Sequence, residues 1–139
     1  MSVVLLDTGP LVAYCRANEV AHEWAVGQLD SLKPPLLTCE PVITEAVYLL
    51  AAHGRRADLV WEFMRAGMLK VAFSLESDFE AVATLLRRYV DLPMDLADAC
   101  LVRMSEQHRD CRVLTTDADF RIYRRFGRQV IPLIYPFNS

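Results

Sequence analysis

The sequence predicts an α/β protein, a parallel sheet covered on both faces by helices. Three observations predict it. Short apolar runs such as Val3-Val4-Leu5-Leu6 and Val113-Leu114-Thr115 have the length and composition of strands buried on both sides. Longer stretches with helical spacing of apolar residues separate them, and Pro and Gly punctuate the joins. Strands alternating with helices in this way are the pattern of βαβ units. In such sheets ligands bind beyond the carboxyl ends of the strands, where the strand order reverses. Residues directly after a strand are therefore the first to inspect for chemistry.

Element by element, Val3 to Leu6 reads as a first strand ending at Asp7. Thr8-Gly9-Pro10 then opens a helix carrying Leu11, Val12 and Tyr14, with proline suited to its first turn. A second helix is expected over Ala21 to Leu32, broken by Lys33-Pro34-Pro35, before a short strand at Leu36 to Thr38. Pro41 to His53 reads as helix with Gly54 at its end, and Arg55 to Arg65 as a further helix stopped near Gly67. Leu69 to Phe73 alternates like a strand. Ser77 to Tyr89 reads as a helix with a capping box between Ser77 and Glu80. Pro93-Met94-Asp95 leads into a helix from about Leu96 to His108. Val113 to Thr115 follows as strand, Phe120 to Arg125 as short helix, and Val130 to Ile134 as a last extended piece.

The 139 residues suit one continuous domain spanning 1–139, with no repeat, linker or low-complexity tract. The longest apolar runs fall well short of the ~20 residues that span a bilayer. The N-terminus has neither the basic start nor the apolar stretch of a signal peptide, so no membrane association and a cytoplasmic location are expected. Cys15, Cys39, Cys100 and Cys111 lie far apart without a C-x-x-C pair, and His22, His53 and His108 are equally scattered. Free thiols and no zinc site are the expectation. The net charge of −3 does not mark a basic nucleic-acid binder. Among the basic residues, however, 13 are arginine and only Lys33 and Lys70 are lysine, with clusters at 55–56, 87–88 and 121–128. Arginine suits bidentate phosphate contacts, although solvated helix faces also carry such clusters.

The acidic residues carry the chemistry. Asp7 follows the first strand directly, and Asp117 and Asp119 follow the Val113 strand. Asp95 and Asp98 open a helix three residues apart, and Glu45 lies one turn into the helix after the second strand. In a parallel sheet all of these can face one edge. Carboxylates gathered there repel one another unless a cation neutralises them. An all-oxygen cluster fits Mg²⁺ or Mn²⁺, and two such ions can assist phosphodiester cleavage. Structural roles compete with this reading: Asp95 is placed as an N-cap, Asp98 suits the helix dipole, and Asp117 or Asp119 can cap the next turn. Glu45, among Val42, Ile43, Ala46 and Val47, must find a partner or solvent.

The stretches LLDTGPLVAY, ITEAVYLLA, PMDLADACLV and LTTDADF, in this order, resemble the PIN-domain family, most closely the VapC toxins of prokaryotic toxin–antitoxin pairs. The resemblance covers essentially the whole chain. It implies a three-layer α/β/α sandwich around a mostly parallel sheet and a Mg²⁺- or Mn²⁺-dependent endoribonuclease held inactive by a small antitoxin. Carried across, it makes Asp7, Glu45, Asp98 and Asp117 the catalytic acids. Asp7, Asp98 and Asp117 are then metal ligands, and Glu45 a ligand or the carboxylate that orients the attacking water. Asp119 would assist through water, Asp95 would be a cap first and a site member second, and Thr115 matches the hydroxyl residue behind the cluster.

Two other classes fit less well. A phosphoacceptor receiver-like domain needs a lysine near its last strand, and neither lysine lies there. A dinucleotide-binding domain is excluded by the lack of a glycine-rich fingerprint. A non-catalytic nucleic-acid-binding module of the same fold remains the alternative to the nuclease. Helix faces carrying Val47, Leu50, Val60, Trp61 and Met64 are rich in large apolar groups, which predicts a homodimer built on the helices between Pro41 and Ala66. A second apolar groove is expected to serve the antitoxin's helix.

Overall fold

The computed structural model describes residues 2–52, 54 and 56–137. Five strands form the central sheet: β1 (Val3–Leu6), β2 (Leu36–Thr38), β3 (Leu69–Val71), β4 (Cys111–Leu114) and β7 (Leu133–Ile134). Their spatial order is β3-β2-β1-β4-β7, and each adjacent pair is parallel. β5 (Arg124–Arg125) and β6 (Gln129–Val130) form a separate antiparallel ribbon. The helices are α1 (Thr8–Cys15), α2 (His22–Ser31), α3 (Glu40–Ala52), α4 (Asp58–Arg65), α5 (Leu75–Arg88) and α6 (Leu96–Gln107).

The strand alternation sorts the core into two halves. Leu5, Leu37 and Val113 point to one face and pack with Val82 and Leu85 of α5 and the buried side of α6. Val4, Leu6, Leu36 and Leu114 point to the other and pack with Leu11, Leu29, Ile43, Leu50 and Val60 of α1 to α4. Side chains on successive strand residues face opposite ways, so each strand feeds both halves. This is the expected three-layer α/β/α sandwich. No helix of the described residues is long and apolar enough to cross a membrane.

Several local expectations need correction. Helix α5 is capped by Ser74, whose Oγ accepts the Ser77 N–H at 3.2 Å, so Ser77 is not the cap. Asp78 leaves helical geometry (φ −121°, ψ 15°), and Arg103 Nε and Gln107 Nε2 donate to its carboxylate at 3.0 and 2.9 Å. The helix expected over Phe120 to Arg125 is a single 3-10 turn, Ala118–Arg121. Tyr123 then enters the core, and the chain turns into the β5–β6 ribbon through Phe126 (φ 52°) and Gly127 (φ 80°). The extended piece Val130 to Ile134 is divided between β6 and β7, with Ile131 buried between them and Pro132 O accepting from Val113 N. Helix α4 starts only at Asp58 and closes on Gly67 (φ 74°) with Met68 N donating to Phe63 O, a Schellman stop. His53 and Arg55 lie outside the described residues.

The apolar helix faces between Pro41 and Ala66 are mostly consumed by this core. Leu50 and Val60 are fully buried, and Val47 and Met64 pack against the same cluster. Trp61, 40% exposed, and Tyr48, 71% exposed, are what these helices leave at the surface. Cys39, Cys100 and Cys111 are buried free thiols, and Cys15 is a half-buried one.

Candidate active site

The strand order reverses at β1, whose neighbours β2 and β4 lead away in opposite directions. Just beyond its carboxyl end lies Asp7. The register Leu6 opposite Leu114 continues into Asp7 N donating to Leu114 O at 3.0 Å, which sets Asp7 beside Thr115. Asp7 is the N-cap of α1: its Oδ1 accepts the Thr8 N–H at 2.8 Å, and its Oδ2 accepts the Thr115 hydroxyl at 2.7 Å. The hydroxyl expected behind the cluster is therefore hydrogen-bonded to the first acid, and it also accepts from Asp117 N at 2.9 Å. Gly9 permits the close approach of α1 to the loop after β4, since a Cβ there would collide with Thr116 Oγ1.

Asp98 enters from α6. Asp95 caps that helix, its Oδ1 accepting Asp98 N at 2.8 Å, so both the capping role of Asp95 and the first-turn place of Asp98 are present. Asp98 as a residue is only 7% exposed, and Tyr123 Oη donates to its Oδ2 at 2.8 Å. Asp117 caps the 3-10 turn, its Oδ1 accepting Asp119 N at 2.9 Å. Capping and clustering thus coexist: Asp7, Asp95 and Asp117 each fix a backbone N–H through Oδ1, while their charges act on one another.

The electrostatics show that these groups share one site. Burial first, then the charges of Asp117 and Asp95, push Asp7 up to about 7, against the opposing hydrogen bonds from Thr115 and Thr8. Asp98 is pushed up to about 8 by burial, then by Asp7, with Asp95 and Asp117 adding to it. Asp117 is raised by burial and by Asp119 and Asp95. Burial and Asp98 together keep the Tyr123 phenol protonated as a donor. Burial and like charges that together disfavour ionisation are the arrangement active sites use, which makes this cluster the candidate site.

Glu45 stands differently. It is half-buried on α3 and lines two hollows, one of about 690 Å³ shared with Asp95 and one of about 430 Å³ shared with Thr8 and Thr116. Through these hollows it borders the aspartate cluster.

The donor set is all oxygen, as Mg²⁺ or Mn²⁺ prefers. Among the described residues no three Asp, Glu, His or Cys groups stand close enough together, as they are, to hold a metal ion. Asp7, Asp98 and Asp117 nonetheless form the place where a cation would relieve the most repulsion. Their all-oxygen chemistry is the kind such an ion takes.

Tyr123 is the site residue that sequence reasoning missed. Its one signal was a tyrosine three residues after Phe120 in an otherwise arginine-rich stretch. Two arginines of that stretch, which suited either phosphate contacts or a solvated face, are occupied with backbone. Arg124 Nη1 donates to the carbonyls of Arg121, Ile122 and Tyr123, and Arg125 Nη1 to those of Ser105 and Arg109.

The family model described as the PIN domain matches residues 4–125. The chain is also 29% identical over 116 residues to Ribonuclease VapC26 of Mycobacterium tuberculosis (strain ATCC 25618 / H37Rv), an alignment covering 82% of this chain and 86% of that protein. The matched span holds Asp7, Glu45, Asp98 and Asp117 together with the reversal in strand order that gathers the aspartates, and the chain belongs to the PIN-domain family.

Proposed function

We propose that this protein is a metal-dependent endoribonuclease and the toxin of a type II toxin–antitoxin pair, its residues 1–139 forming a single nuclease domain. The observation that carries the reading is the set of buried, mutually repelling carboxylates at the reversal of strand order. The name of the similar mycobacterial ribonuclease supports RNA as the substrate.

Asp7, Asp98 and Asp117 are assigned as ligands for Mg²⁺ or Mn²⁺, with Glu45 as a further ligand or as the acceptor that orients the attacking water. Bound there, the ion supplies polarisation of a phosphate oxygen and a more acidic water. Around it the chain positions its own groups. Thr115 holds Asp7, Tyr123 holds Asp98, and Asp95 fixes the first turn of α6. Asp119 acts at one remove, through Asp117 or through water. In the reaction the water would give up a proton as its oxygen bonds to phosphorus, one bridging P–O bond would break, and the leaving oxygen would take up a proton in return. A negatively charged protein can carry out this reaction because bound metal reverses the sign of the cleft.

Incubating defined structured RNAs with the protein in Mg²⁺, Mn²⁺ or EDTA tests the proposal. Cleavage with either ion and none in EDTA is expected. Full cleavage in chelator would sink the metal mechanism, and RNA binding without cleavage under every condition would leave a non-catalytic binding module. A small protein encoded beside this one that forms a tight complex with it and blocks cleavage is the expected antitoxin.

A further inference from the structure

A hollow of about 430 Å³ opens beside the aspartate cluster, and of its lining only Glu45 has a role assigned above. Thr8 and Thr116 line it on the side of Asp7 and the β4 loop, Glu45 lies on α3, Arg16 and Glu19 at the end of α1 and just beyond, and Phe137 forms a wall. Two polar atoms of this lining are buried without a hydrogen-bond partner: Thr8 Oγ1, on a residue 96% buried, and Arg16 Nε. Buried hydroxyls and guanidinium N–H groups are rarely left unmatched unless a ligand or water completes them.

The wall is held in place. Phe137 packs edge-on to Tyr135 with ring centroids 5.6 Å apart, and the Arg121 guanidinium lies 5.7 Å over the Tyr135 ring. Phe137 itself is 47% exposed. A half-exposed aromatic ring braced by a second ring is suited to stacking a base, which every nucleobase can do. The charge of the lining decides which part of a nucleotide it suits. Arg16 is bound to Glu19 through Nη1 at 3.0 Å, and Glu45 adds a second carboxylate. Two acids against one guanidinium disfavour a bare phosphate. Hydroxyls and carboxylates instead match the donors and acceptors of a base edge and a ribose 2′-hydroxyl.

We propose that this hollow is a nucleoside subsite that takes the base and ribose of the RNA residue next to the scissile phosphate, with the base stacked on Phe137 and Thr8 Oγ1 meeting the sugar or base edge. The assignment rests on the endoribonuclease reading above, because the hollow shares Glu45 with that site and Thr8 is bonded directly to Asp7.

Steady-state cleavage of a short RNA in Mg²⁺, paired with chemical denaturation, tests it on the full chain. Phe137→Ala should raise KM about ten-fold, in the range alanine substitution of a stacked aromatic produces. Phe137→Trp should restore it, and kcat should stay within about two-fold for both. Thr8→Val should be as stable as the parent or more so, because the hydroxyl it removes has no protein partner, yet it should raise KM. A merely structural Thr8 or Phe137 would move stability and leave KM alone. Titration of the metal-free protein with the four ribonucleosides and their 2′-deoxy counterparts, which carry no phosphate, followed by NMR, gives a readout independent of turnover. Shifts that saturate with the ribonucleosides and weaken in Thr8→Val are expected. An active parent enzyme whose KM and nucleoside titration are unchanged in Phe137→Ala and Thr8→Val overturns the subsite alone. A parent with no RNA cleavage but intact, Phe137-dependent nucleoside binding overturns the nuclease reading instead.

Discussion

Replacing Asp98 by Asn separates the cost of the aspartate cluster from its use. The variant keeps the backbone N–H that Asp95 caps and keeps an oxygen for the Tyr123 hydroxyl, so what it removes is ionisation. Asp98 is raised from the ordinary carboxyl range to about 8, by burial first and by Asp7 next. A group raised in the folded state binds its proton there while the unfolded chain has released it. Its stabilising share is therefore complete below about pH 4, declines as pH rises, and is lost once pH passes the folded value near 8. At ~1.4 kcal/mol per pKa unit the full shift sets a ceiling of roughly 5–6 kcal/mol. Part of the repulsion belongs jointly to Asp7 and Asp98 and relaxes when water enters the cleft, so we expect a gain of about 1–3 kcal/mol for Asp98→Asn at pH 8. Urea denaturation in EDTA, followed by the fluorescence of Trp24 and Trp61, measures it at pH 4.5 and pH 8. The variant should match the parent at the lower pH, exceed it at the higher one, and cleave no RNA with Mg²⁺ present. Equal or lower stability at pH 8 would refute the electrostatic argument, and normal cleavage would reduce Asp98 to a helix-end residue.

Tyr123→Phe removes the hydroxyl that holds Asp98 and should lower stability by about 1–2 kcal/mol while weakening Mn²⁺ binding in a metal titration. Unchanged metal affinity would show that Asp98 orients itself without help. Gly9→Ala tests the approach of α1 to the β4 loop: Ala favours a helix by ~1 kcal/mol over Gly, yet here its Cβ meets Thr116 Oγ1, so a net loss of roughly 1 kcal/mol is expected. The double variant Gly9→Ala/Thr116→Ala should recover that loss in thermal denaturation, and its failure to do so would place the strain elsewhere. For assembly, light scattering at micromolar concentration should give twice the 15.8 kDa chain mass, and Trp61→Glu should shift the protein toward monomer. A monomeric parent would end the dimer proposal.

The sequence alone determined the layers. Val3 to Leu6, Leu36 to Thr38 and Val113 to Thr115 read as strands because a strand buried on both faces has few polar positions, and that composition is local. It also determined that Asp7 and Asp117 stand past strand ends and that Asp95 and Asp98 open a helix, because helix starts select carboxylates by local geometry. Tertiary structure decided who meets whom. Thr115 reaches Asp7 across 108 residues of sequence and Tyr123 reaches Asp98 across 25, contacts that exist only because β1 pairs with β4 and the chain after the 3-10 turn folds back on α6. Packing likewise took Leu50 and Val60 for the core, turned the arginines at 124 and 125 onto backbone carbonyls, and set Glu45 at the rim of the cluster between two hollows. Periodicity and capping act within a few residues and are written in the order of the chain. The partners of a buried polar group are chosen by which elements the core brings together, and no short stretch of sequence holds that choice.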